Sequence, residues 1–137
     1  MGKPEEMEVN YKVIEAKEFL RAKPAGEIDL EYAEEVLTQI ALMSRPPADH
    51  EILLDVREAY GNLNYADAYA LIAVLGRHRE SFRNKIAILA RDDEQFDRAH
   101  FLELSANYRG FKVGVFTSFE DTINWLQSSG GSEDLFE

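Results

Sequence analysis

The chain has 137 residues, of which 45% are hydrophobic, 30% charged and 11% aromatic, the composition of one compact domain able to bury roughly two thirds of its unfolded surface. It contains no cysteine, which excludes disulfides, Cys-ligated zinc, iron–sulfur clusters and a thiol nucleophile. Fifteen Lys and Arg against 26 Asp and Glu give a formal charge of -11, so a phosphate backbone is repelled and nucleic acid is not an expected partner.

Residues 1–9 and the acidic, Ser/Gly-rich residues 128–137 read as flexible tails around a domain at 10–127. Tyr11 to Glu15 and Phe19 to Ala25 alternate large side chains on either side of Ala16-Lys17-Glu18, the pattern of an antiparallel hairpin, with Pro24 limiting two-sided pairing. Asp29 is placed to cap a helix through Met43. Its apolar face is Leu30, Ala33, Val36 or Leu37, Ile40 and Met43, and its other face carries Glu31, Glu34 and Glu35. After a turn at Pro46-Pro47-Ala48-Asp49, Ile52 to Val56 is a continuous apolar run, as in a strand covered on both faces.

Asn64 with Asp67 opens a helix from Tyr65 to Arg79 or beyond. The longest apolar run, Ala68 to Gly76, lies within it. That is about half a bilayer span, and the first residues lack an apolar signal segment, so a cytoplasmic chain with no integral membrane segment is expected. Lys85 to Ala90 and Lys112 to Phe116 repeat the buried-strand pattern. Between them Asp92 with Gln95 starts a helix to Tyr108, with Gly110 as a left-handed stop. Thr117 with Glu120 has the capping-box spacing before Phe119 to Leu126. The order β-β-α-β-α-β-α-β-α predicts an α/β single domain: a five-stranded, mostly parallel sheet with an N-terminal antiparallel hairpin and four helices.

Gly26-Glu27-Ile28-Asp29 resembles the Gly-Glu-Leu-Asp turn before the first helix of STAS domains, typified by the bacterial anti-sigma factor antagonists of SpoIIAA-like fold. Asp67 to Arg77, ending Leu75-Gly76-Arg77, resembles that family's Asp-Ser-Ser-Gly-Leu stretch and the helix behind it. The element order agrees, and the resemblance runs from about Val9 to Leu126. In regulated members the serine after that Asp is phosphorylated to switch binding off. Here the position is Ala68, followed by Tyr69 and Ala70. The resemblance therefore implies an unswitched variant, close to a looser STAS-like group.

Catalytic signatures are missing. His50, His78 and His100 lack metal-ligand spacing, and no phosphate-cradling glycine loop or G-x-S-x-G is present. Asp55, Asp92, Asp93, Thr117 and Ser118 fall at strand carboxyl ends, where converging carboxylates would hold Mg²⁺ for phosphoryl chemistry. Helix caps and a charge partner at Arg57 account for them, so no catalytic residue, metal or cofactor is expected. The second helix carries two apolar stripes, Ala68, Leu71, Ile72, Leu75 and Tyr65, Tyr69, Ala73, Gly76. One must face the sheet, which leaves the other for a partner.

Together with the resemblance, this points to a non-catalytic module. It would bind another protein, or itself as a homodimer, through Tyr60, Asn64, Tyr65, Asp67, Ala68 and Tyr69. Arg77, Arg79 and Arg83, near Lys85 and Arg91, form a candidate anionic docking patch, and Asp134-Leu135-Phe136 a candidate docking peptide. The alternative is a small-molecule or lipid carrier. Its apolar pocket would lie under the third and fourth helices, lined by Phe96, Phe101, Leu104, Tyr108, Phe119 and Trp125.

Overall fold

The computed structural model describes residues 7–14, 17–44, 50–61 and 63–128, of which 7–14, 17 and 18 are described by their backbone alone. The turn at 46–49, the Asp134–Phe136 peptide and most of both expected tails lie outside the described residues. β1 (Met7–Ile14) and β2 (Lys17–Pro24) form the antiparallel hairpin in a register that runs from Met7 opposite Pro24 to Ile14 opposite Lys17. Residues 7–9, assigned to the tail from sequence, are thus part of the first strand.

Pairing continues parallel from β2 to β4 (Glu51–Asp55), β6 (Ile86–Leu89) and β7 (Val113–Phe116), giving the order β1-β2-β4-β6-β7. The predicted five-stranded sheet is therefore observed, with α1 (Leu30–Ser44), α2 (Tyr65–Arg77), α3 (Glu94–Tyr108) and α4 (Phe119–Gln127) as the four helices. One element was not anticipated. β3 (Gly26–Glu27) and β5 (Ala59–Tyr60) pair in parallel as a separate two-stranded sheet. Two-residue strands leave too short a pattern to read.

The parallel strands advance one position at a time in one direction. Because each crossover is right-handed, the connecting helices all fall on one face. Accordingly Ile40 of α1, Leu75 of α2 and Ala106 of α3 share one core with Leu20, Ile52 and Ile86. α4 follows the last strand with no crossover to make. It covers the opposite face, where Leu126 packs with Phe19, Leu53 and Ala87, joined by Phe116, Ile123 and Trp125. Close approach there depends on Gly114, whose hypothetical Cβ would lie 3.0 Å from the Phe116 ring and 3.2 Å from the Trp125 ring.

Helix starts follow the predicted chemistry with two shifts of one residue. Asp29 Oδ1 accepts from the Tyr32 amide at 2.9 Å, and Asn64 and Asp67 form a reciprocal capping box. α3 is capped by Asp93 rather than Asp92, and α4 by Ser118 rather than Thr117. In each pair both residues are able to cap, and the end of the strand before them decides which one sits at the first turn. α2 stops at Arg77, short of Arg79. α3 ends as expected: Gly110 has φ +95°, and the Gly110 and Phe111 amides donate back to the carbonyls of Asn107 and Ala106.

Candidate functional site

The α2 N-terminus stands on β5 and the loop after it. The residues proposed from sequence for partner binding separate here by role. The Asn64 and Asp67 side chains each accept the other residue's amide, at 2.8 and 3.0 Å, so their polar groups hold the helix start. Ala68 is buried beneath the first turn, which makes it an interior position and not a contact, and it has no hydroxyl to phosphorylate. Tyr60, Tyr65 and Tyr69 are 59%, 55% and 52% exposed. These three alone of the six are available as apolar contacts.

Tyr65 and Tyr69 rest on Phe101 of α3, with ring centroids at 4.7 and 5.6 Å, and the Arg109 guanidinium lies 5.9 Å from the Tyr69 ring. The second stripe of α2 is therefore half used inside the molecule. Its upper part leans on α3, while Ala73 and Gly76 face outward. On α3 the spacing of Phe101, Leu104 and Tyr108 continues the aromatic surface, with Leu104 and Tyr108 57% and 89% exposed.

The residues expected to line one pocket under the third and fourth helices are not brought together among the described residues, because those helices lie on opposite faces of the sheet. Phe116 and Trp125 pack with each other at 5.5 Å on the α4 face, and Leu104, Tyr108 and Phe119 are surface residues. A cavity of about 440 Å³ lies elsewhere, at the carboxyl ends of β4 and β6 on the α1–α3 face. Leu54 and Ile88 form its floor, and Val36, Leu37, Leu71 and Leu102 its walls. Each of the three helices also presents an alanine to this space, Ala33, Ala68 and Ala99. Those small side chains leave the volume open. In sequence they look like ordinary positions on an apolar stripe, so periodicity alone gave no signal for the cavity.

The mouth is polar, and its groups are already engaged. Arg91 donates to the Arg57 and Ala59 carbonyls at 2.7 and 2.8 Å and to Asp93 at 3.1 Å. Gln95 donates to the Val56 and Ala59 carbonyls and accepts from the Arg91 amide. Arg98 faces Glu94 at 3.7 Å. The Gln95 amide and the Arg91 side chain, donating to the Asp93 carboxylate, hold that carboxyl below its ordinary range.

The strand-end carboxylates do not converge. Asp55 is fully buried and accepts three hydrogen bonds from Arg57, from its amide at 3.1 Å and its guanidinium at 3.0 and 2.9 Å, with Arg21 at 3.5 Å. Burial by itself pushes this carboxyl up. The hydrogen bonds and charge of Arg57, aided by the Arg21 charge, outweigh that effect and hold it below the usual carboxylate range. Asp93 and Ser118 are caps, and no group of three potential ligands gathers among the described residues.

The basic patch also thins out. Lys85 is buried and donates to the Trp125 carbonyl and to Ser128 at the end of α4, Arg91 serves the cavity mouth, and Arg79 stacks on Phe111 at 4.3 Å. Arg77 and Arg83 remain on the surface. Of the histidines, His78 ends α2, and His100 pairs with Glu103 at 3.2 Å.

Among solved structures the chain is similar to an uncharacterised protein of the DUF3478 family with a SpoIIAA-like fold from Shewanella loihica PV-4. The TM-score is 0.58 at 19% identity, over 88% of this chain and 93% of that one. The likeness is one of fold, and it agrees with the STAS-type resemblance read from Gly26–Asp29 and Asp67–Arg77. No protein-family model and no curated protein matches the sequence. No helix among the described residues is long and apolar enough to cross a membrane.

Proposed function

We propose that this SpoIIAA-like chain is a non-catalytic interaction module that binds another protein through the loop after β5 and the outer face of α2. The observation that carries this reading is the pair Tyr65 and Tyr69, each about half exposed yet held by Phe101. Aromatic side chains already ordered by a neighbour lose little rotamer freedom on contact, and tyrosine is enriched at binding hot spots. Tyr60 extends the surface on the β5 side, and the Asn64–Asp67 capping box fixes the helix that presents it. The non-catalytic part of the reading rests on chemistry already accounted for: Asp55 and Asp93 are tied up in ion pairs and a cap.

The test is a comparison of the wild-type chain with the Tyr65→Ser/Tyr69→Ser variant. A partner identified by crosslinking through position 65, then purified, is expected to bind the variant at least tenfold more weakly in calorimetry. If the partner binds both proteins equally, the tyrosine surface is not the interface.

A further inference from the structure

We propose that the cavity between α1, α2 and α3 is a binding site for a neutral, chiefly hydrocarbon small molecule. The site borders the tyrosine surface and shares Tyr60 and Asn64 with it, whereas Tyr65 and Tyr69 do not line the cavity, so their replacement separates the two sites.

Its size is the first ground. Protein interiors pack like organic crystals, with few voids larger than a water molecule, and this one measures about 440 Å³, within the roughly 300–1,000 Å³ of small-molecule sites. At roughly 25–30 Å³ per heavy atom that is room for on the order of fifteen to eighteen heavy atoms. Ala33, Ala68 and Ala99, one from each helix, line the cavity with side chains of a single carbon.

The lining is the second ground. Leu37, Leu71 and Ile88 offer water no hydrogen bonds, and a site of that kind holds apolar atoms better than ordered water.

Charge decides the ligand class. The charged residues at the mouth are two cations and two carboxylates, Arg91 with Asp93 and Arg98 with Glu94, and each pair is closed within the chain. The helix N-termini beside the cavity, which would otherwise attract an anion, already carry the chain's own acids Asp67 and Asp93. A fatty carboxylate would meet cations whose charge Asp93 and Glu94 already offset, and would enter a protein of net charge -11. A neutral molecule meets neither obstacle.

The full-length chain, stripped of bound lipid, is titrated with the uncharged dye N-phenyl-1-naphthylamine, and competition is then measured with 1-decanol and with decanoate at pH 8. Saturable dye binding is expected, with decanol displacing the dye at a concentration at least tenfold below that of decanoate. Ala99→Leu and, separately, Ala68→Leu fill the space and should weaken dye binding at least tenfold in variants that retain the wild-type circular dichroism spectrum and melting temperature. Tyr65→Ser/Tyr69→Ser should bind the dye as wild type does. The proposal is overturned by any one of three results: no saturable dye binding by the wild type, decanoate competing as well as decanol, or undiminished binding in whichever filled variant folds.

Discussion

Asp55 couples the stability of the fold to pH. It is a carboxylate with no exposed surface, held ionised by three hydrogen bonds from Arg57 and by the nearby Arg21. Its native pKa lies below the usual range, so its contribution is fully present above the unfolded value of about 3.9. That contribution is lost as pH falls through the lower native value. Replacing Arg57 by Ala leaves the buried charge with Arg21 alone and should cost about 3 kcal/mol at pH 7. Urea unfolding at pH 7 and pH 3 checks this: the difference between wild type and variant should shrink toward acid, because protonation of Asp55 relieves the poorly compensated charge in the variant. A penalty that does not change with pH would mean Arg57 acts through packing.

Individual elements are held by contacts of different strength. The β3–β5 pair is fastened by the Gly26 amide on the Glu58 carbonyl and the Ile28 amide on the Tyr60 carbonyl, at 3.0 and 2.7 Å. It passes beside Gly61, which has φ +154° and whose hypothetical Cβ would collide with the Ile28 carbonyl oxygen. Gly61→Ala should therefore open the pair, with a loss of roughly 1–3 kcal/mol and faster amide exchange at Ile28. Slow exchange there in the variant would show that the strands shift together instead of parting.

α2 allows a second comparison, between its two sides. Leu71 is buried on the sheet side, and Leu71→Ala should cost about 2–5 kcal/mol. The Tyr65→Ser/Tyr69→Ser variant loses two aromatic contacts with Phe101, worth about 0.5–1.5 kcal/mol each. Chemical denaturation should rank Leu71→Ala as the more damaging. The reverse order would make the tyrosines core residues.

At the scale of the molecule, the sheet is unequally covered. Among the described residues three helices share one extended core, whereas α4 lies on the other face with a smaller cluster around Leu126. Local opening follows buried apolar contact, so α4 should open before the rest. Native-state hydrogen exchange is expected to show its amides opening at a lower free energy than those of β4 and β6. Lys85 Nζ, bonded to the Trp125 carbonyl and Ser128, ties the C-terminal end of α4 to the sheet. Lys85→Met should widen the gap in opening free energy. Equal protection of α4 and the central strands would show that the molecule opens as one unit.

The sequence by itself determined what depends on neighbours along the chain. Unbroken apolar runs at Ile52–Val56, Lys85–Ala90 and Lys112–Phe116 identified the central strands, and the spacing of Asn64 with Asp67, the Asp29 cap and the Gly110 stop identified helix ends, because caps and turns are made by residues a few positions apart. Element order then carried the parallel sheet. Only the tertiary structure decided which face each helix took. The strand-to-strand advance places α1, α2 and α3 together and sends α4 across the sheet, which removed the pocket expected from Phe96 to Trp125. It also decided that Ala68 faces inward while Tyr65 and Tyr69 lean on Phe101, and that three alanines distant in sequence border one void. A cavity is the space left between elements after they pack, so no local pattern records it. It appears only once Ala33, Ala68 and Ala99 are brought within reach of one another.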